Sequence, residues 1–204
     1  MSTTDDRPAA LAAGIADPAP LGLAAFALTT FLLSAFNAKL TKGATNGSEW
    51  IGYGFAYGGL GQLLAGMWEF RNRNVFGATA FSSYGGFWIG LALYFRLAAP
   101  TAGAGVLNDL GWILLAFAIF NTYMLIMSAQ VSMAVFLVFL TLELTEIFLF
   151  IGFFSSSTNT IKIGGYIGIL TALVAWYTSA AGVANGMGGR VRLPVGAPLL
   201  RGVA

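Results

Sequence analysis

Two carboxylates stand where carboxylates are costly. Glu143 and Glu146 lie in the apolar run Phe136 to Phe148, which holds no Lys or Arg. Three residues apart on a helix, they are near neighbours on one side. A charge at mid-membrane costs from about 2.5 kcal/mol upward, so at least one of the two carries a proton or finds a partner. The open readings are a proton-handling pair, a contact with a second subunit, a water-filled vestibule, or Lys162 or Arg96 reaching over. A second group of polar side chains sits in equally apolar company: Tyr57 and Gln62, then Thr79, Ser82, Ser83 and Tyr84 beside Gly85-Gly86. Uncharged donors of this kind replace part of a small anion's hydration without trapping it. Ser and Thr also satisfy themselves on their own helix carbonyls, and both readings stay open.

The rest of the inventory excludes much. The 204 residues contain neither His nor Cys. Disulfides, thiol nucleophiles, imidazole or thiolate metal sites and His-based acid–base relays are therefore ruled out. No P-loop occurs. No catalytic residue, metal site or cofactor is expected, and an enzyme would have only Glu143 and Glu146 to work with. The net charge of +2 forms no basic stripe, so nucleic acid is not an expected partner.

These side chains must be held by lipid-facing helices. The chain is 57% hydrophobic and 9% charged, against about a quarter charged in soluble domains. That composition calls for a bilayer as solvent. Apolar stretches of the roughly 20 residues a span requires predict an all-α bundle of six transmembrane helices, at 21–38, 50–70, 77–99, 110–129, 133–154 and 161–185. Only Gln130-Val131-Ser132 separates the fourth and fifth, which predicts a tight turn there. Residues 1–16 read as a disordered tail, 17–189 as the transmembrane domain and 190–204 as a C-terminal tail. With six spans, Arg7, Arg71, Arg73, Arg190, Arg192 and Arg201 share one side, and Lys39, Lys42, Arg96 and Lys162 the other. The excess places both termini in the cytoplasm.

In the second span Gly54, Gly58, Gly61 and Ala65 recur at three- and four-residue spacing and strip one face of side chains. Such a face either lets helices pack closely or leaves room for a path beside Tyr57 and Gln62.

The entrance to the first span reads Asp17-Pro18-Ala19-Pro20-Leu21-Gly22-Leu23, a helix start in which Asp17 accepts from a free amide and Pro20 pre-sets φ. In this form it resembles the Asn-Pro-Ala-Pro-Leu-Gly-Leu signature of the acetate uptake transporter family, with Asp17 in place of the usual Asn. The segments Phe55 to Glu69 and Phe76 to Trp88 are similar to that family's second and third helices. The resemblance implies a plasma-membrane transporter or channel for acetate, with succinate or other short carboxylates possible, linked to protons and assembled as a homohexamer. It implies a hydrophobic constriction at Phe26, Tyr84 and Leu142. Asn37 also matches a family Asn, and reads as a structural helix-end amide. The alternative is a channel for a small neutral solute or water.

Overall fold

A computed structural model describes residues 15–42 and 48–200; the expected N-terminal tail, except Ile15 and Ala16, lies outside them. Among the described residues the chain is entirely helical, with six long helical arms. Arm α1 is Ala19–Asn37. Arm α2 joins Trp50–Tyr53, a π-helical segment Gly54–Gly61 and Gln62–Arg71. Arm α3 is Val75–Leu93, extended by a π-helical turn Tyr94–Ala98, and α4 is Val106–Ser128. Arms α5, Met133–Phe154, and α6, Thr158–Gly186, complete the set.

Local chemistry sets these limits. Asn74, Ser132 and Ser157 cap α3, α5 and α6, each side-chain oxygen accepting from a first-turn amide. Three helices end in the same way: Lys39, Arg73 and Ser156 take positive φ. The next amide then reaches back five residues, Leu40 to Ala35, Asn74 to Glu69 and Ser157 to Gly152, which satisfies carbonyls the helix would leave free. The predicted break at 130–132 is a turn capped by Ser132. The third span ends earlier than predicted as regular α-helix, because Pro100 and Gly103, at φ 54°, turn the chain through Ala99–Ala102 and Gly103–Gly105. The π-helical segment of α2 was not legible in advance. Four glycines in Gly54–Gly61 weaken the α-helical preference there.

Around the bundle, α2 packs on α1 and α3, α6 on α1 and α5, and α4 on α5. Contacts Tyr94–Asp109, Phe87–Phe117 and Tyr84–Asn121 set α3 and α4 in antiparallel register. Small residues permit the tightest crossings. A Cβ on Gly85 would lie 2.7 Å from the Leu63 amide nitrogen, and one on Gly165 would lie 2.5 Å from that of Ala38. The core divides into two clusters along the bundle, one around Phe26, Tyr84, Phe139 and Leu142, the other around Trp50, Trp88, Leu110 and Leu149. The outside stays apolar: Leu64, Trp68, Ile119, Leu170 and Leu173 are each more than half exposed, as a lipid-facing surface requires. Arms α1, α5 and α6, and the helical stretch Val75–Ser128 that holds α3 and α4, are long and apolar enough to cross a bilayer.

The C-terminal segment folds back on the bundle as far as Leu200. Asn185 brackets Leu193 with two hydrogen bonds, Tyr177 donates to the Pro194 carbonyl, and Ala134 and Leu200 join the segment to the α4–α5 turn.

Candidate functional site

Three cavities follow one another along α1. The first, about 80 Å³, opens beside Ala19 and Leu23 and is lined by Gln62, Asn74, Phe76, Val135 and Phe139. The second, about 40 Å³, lies between Thr30, Trp88, Leu114 and Glu146. The third, about 230 Å³, reaches Phe36, Lys39, Phe95 and Phe153. Phe26, Tyr84 and Leu142 border both the first and the second. Leu33, Asn37, Leu114 and Leu149 border both the second and the third. From Ala19 to Lys39 a helix rises about 30 Å, the thickness of a hydrocarbon core.

The three residues shared by the first two cavities come from α1, α3 and α5, and all are buried. The Phe26 and Tyr84 rings meet edge to face at 5.7 Å. Phe117 and Phe120 of α4 also pack on Tyr84, at 5.7 and 5.5 Å. So the ring is clamped from two sides, and its hydroxyl is aimed into the bundle.

That hydroxyl belongs to a buried polar chain. Tyr84 donates to Asn121 Oδ1 at 3.0 Å and lies 3.3 Å from Glu146 Oε1. Asn121 Nδ2 donates to Glu143 Oε2 at 2.7 Å and to the Phe139 carbonyl at 3.0 Å. Both of those partners are acceptors, which fixes the amide with its oxygen toward Tyr84. The Thr122 hydroxyl, with one hydrogen, lies 2.8 Å from the other oxygen of Glu143 and 2.8 Å from the Ala118 carbonyl. Glu143 is thus met by Asn121 and Thr122 of α4, neither Lys162 nor Arg96 reaching over, while Glu146 points inward one turn beyond Leu142.

The other candidate residues divide. Gln62 is buried in the first cavity and donates to the Gly58 carbonyl of its own arm. Tyr57, Thr79 and Ser83 do not border the three cavities. Ala80 and Tyr84 line the cavities, and a helix turns about 100° per residue, so Thr79 and Ser83 are carried away from them. Ser83 instead lines an open groove between α3 and α4. At the entrance Asp17 Oδ1 accepts from the Ala19 amide at 2.9 Å. Pro18 is the residue before the first helical turn, the Pro20 carbonyl accepts from Ser179 at 2.6 Å, and Leu21 is exposed. Gly22 faces the Phe81 ring, where a Cβ would come within 2.6 Å. Leu23 lines the first cavity. Asn37 is buried between the second and third cavities.

Sequence reasoning missed Asn121, Thr30 and Trp88. Asn121 had a usable signal: an amide in the middle of Leu110 to Met127 is costly in hydrocarbon unless it is paired.

Comparison with known proteins agrees with this geometry. The chain is 43% identical over 196 residues to acetate permease A of Emericella nidulans, covering 88% of this chain and 65% of that one. The chain therefore spans less than two thirds of that fungal relative. It is 35% identical over 185 residues to the succinate-acetate/proton symporter SatP of Escherichia coli, covering 89% and 96%. The solved structure of the bacterial acetate channel SatP superposes with a TM-score of 0.82 at 32% identity, over 89% of this chain and 99% of that one. The GPR1/FUN34/yaaH family is matched by residues 6–197, from before the entrance motif to the segment that folds back, and this chain belongs to that family.

Proposed function

We propose that the chain is a transmembrane route for acetate and other short carboxylates, succinate among them, in which a proton accompanies the anion. The observation that carries this reading is the constriction: Phe26, Tyr84 and Leu142 stand between two cavities that run in line with α1. A pinch of apolar side chains passes a small, poorly hydrated solute and holds back hydrated ions. The names of the relatives, a permease, a symporter and a channel for acetate, support the same cargo and point away from catalysis.

Two arguments support the proton. An anion entering a negative interior works against about 2.3 kcal/mol per 100 mV, and a co-transported proton cancels that cost. The polar chain at the pinch also counts protons. Tyr84 has one hydroxyl hydrogen, and it faces two acceptors, Asn121 Oδ1 and Glu146 Oε1. The chain closes only when Glu146 brings a hydrogen of its own. Glu146, with Glu143 behind it, thereby ties the order of the constriction to acidity.

In this reading all six arms cross a plasma membrane, and both termini lie on its cytoplasmic side. Copies associate through the exposed apolar perimeter, six to an assembly as the family resemblance implies. Radiolabelled acetate uptake into liposomes holding the purified protein tests the proposal. Uptake above that of protein-free liposomes, raised by an inward proton gradient, is expected. Rates equal to those of protein-free liposomes would overturn it.

A further inference from the structure

Three buried polar atoms lack a partner and belong to residues that line one small cavity. They are Thr30 Oγ1, Trp88 Nε1 and Glu146 Oε2. The three residues are 5%, 2% and 3% exposed. An unpaired buried polar group costs about 1–3 kcal/mol. Three around one chamber of about 40 Å³ form a cluster that calls for an occupant. At about 10–15 Å³ per water-sized sphere, the chamber holds about three heavy atoms, the size of one carboxyl group.

The chemistry of the three groups is unequal. Trp88 offers an N–H and nothing else, while Thr30 can donate or accept. Glu146 spends its Oε1 side on Tyr84, which leaves Oε2 as its unpartnered acceptor. The residues lining the chamber thus leave two groups able to donate and one acceptor without partners. A carboxylate has acceptors alone, and would set an anionic oxygen against Glu146. A carboxylic acid has a carbonyl for Trp88 and Thr30 and an O–H for Glu146.

We propose that the chamber between Thr30, Trp88 and Glu146 binds the carboxyl group of the cargo in its neutral, protonated form, so that the proton crosses the constriction on the cargo. This deepens the transport reading above and rests on it. The cargo's alkyl part then lies against Phe26, Leu142 and Leu33, which also border the chamber. No other titratable side chain competes for the site. Tyr84 of α3 is engaged with Asn121, and Glu143 is turned toward α4. From α1, α5 and α6 the neighbouring polar groups are Ser34, Asn37, Thr145 and Thr171, none of which titrates. No basic residue lines the chamber.

Acetamide discriminates the proposal, because it has the size of acetic acid, a carbonyl and an N–H donor, and it does not ionise. The measurement follows the Trp88 indole N–H resonance in nitrogen-15-labelled protein in lipid nanodiscs, assigned by its loss in Trp88→Phe. Acetamide should shift that resonance at acid pH, and acetate should do so at acid but not at alkaline pH. Thr30→Val should weaken both responses about threefold to tenfold, the loss expected for one hydrogen bond. Glu146→Gln should keep the acetamide response at every pH, since its amide can donate to Tyr84 and turn its oxygen to the chamber. Acetamide competition against acetate uptake by the wild-type protein gives a second readout that needs no variant. An indole resonance unmoved by acetamide, as for a chamber that holds water alone, would overturn the proposal. So would one that moves as strongly with acetate at alkaline pH. Binding without any acetate uptake would leave the chamber standing and remove the transport reading instead.

Discussion

Tyr84→Phe removes one oxygen atom, and the structure sets what that should cost. The ring stays, so the edge-to-face contact with Phe26 and the packing of Phe117 and Phe120 persist. What goes is the group between Asn121 Oδ1, at 3.0 Å, and Glu146 Oε1, at 3.3 Å. Both are buried, with Asn121 0% and Glu146 3% exposed, so water cannot easily replace the hydroxyl. At about 1–3 kcal/mol for each of the two orphaned groups, the loss is about 2–6 kcal/mol. For a chain of this length that lowers the melting temperature by about 4–24 °C. Thermal unfolding of the purified protein in detergent reads it directly. Tyr57→Phe is the matched control, because its hydroxyl makes no hydrogen bond within the described chain and its residue is half-buried; a change within about 0.5 kcal/mol is expected there. Asn121→Leu completes a double-mutant cycle with Tyr84→Phe, and a coupling of about 0.5–3 kcal/mol identifies the pair as one unit. If Tyr84→Phe melts with the wild type, the hydroxyl does not hold the polar chain together, and the proton-counting argument built on it falls.

Tyr84→Ala removes the ring as well and merges the first two cavities, so liposomes holding it should take up bulkier carboxylates such as benzoate; wild-type selectivity in that variant would mean that the constriction lies elsewhere. Gly58→Leu should abolish assembly, because even a Cβ there would stand 2.5–2.9 Å from Thr29, whose hydroxyl is tied to the Ala25 carbonyl; size-exclusion chromatography showing a normal particle would refute the close crossing. Asn185→Ala drops both side-chain bonds to Leu193, and faster tryptic cleavage after Arg190 and Arg192 is expected, whereas an unchanged digestion rate would show that the folded-back segment is held by other contacts.

Helix limits were the most legible part of the sequence, because they are written in local chemistry. The fifth span, Met133–Phe154, matches its predicted bounds at both ends, between Ser132 as cap and the polar run from Ser155. Composition alone called for lipid, and the exposed Leu, Trp and Ile side chains bear that out. The π-helical segment of α2 escaped because it has no pattern of its own: glycines announce a weak or closely packed helix without saying which hydrogen-bond spacing it will adopt. The fate of residues 190–200 escaped for a similar reason. Their bonds run to Asn185, Tyr177, Ala134 and Ala129, and no pattern within the segment itself points to those partners.

The polar side chains at the path were harder, and the reason is rotational. Thr79, Ser83 and Tyr84 each place a hydroxyl in an apolar helix. Which of them meets the path depends on the direction of α3, and that is fixed by Gly85 against Leu63 on one side and by Phe87 against Phe117 on the other. Both contacts join residues far apart in sequence. Tyr84 is set apart from Ser83 by a ring large enough to obstruct a pore and by neighbours that resemble a family motif, but neither tells which way α3 is turned. Glu146 shows the opposite case. A carboxyl in an apolar run must find hydrogen partners, and its three-residue offset from Glu143 directs the two toward different neighbours once α5 is packed. Glu143 takes the donors of α4, and Glu146 is left with Tyr84 and the chamber. The same packing that gives one acid its α4 partners leaves the other with an unpartnered oxygen beside Phe26, Tyr84 and Leu142, and under the transport proposal that asymmetry makes Glu146, of the two, the residue to meet a carboxyl group of the cargo.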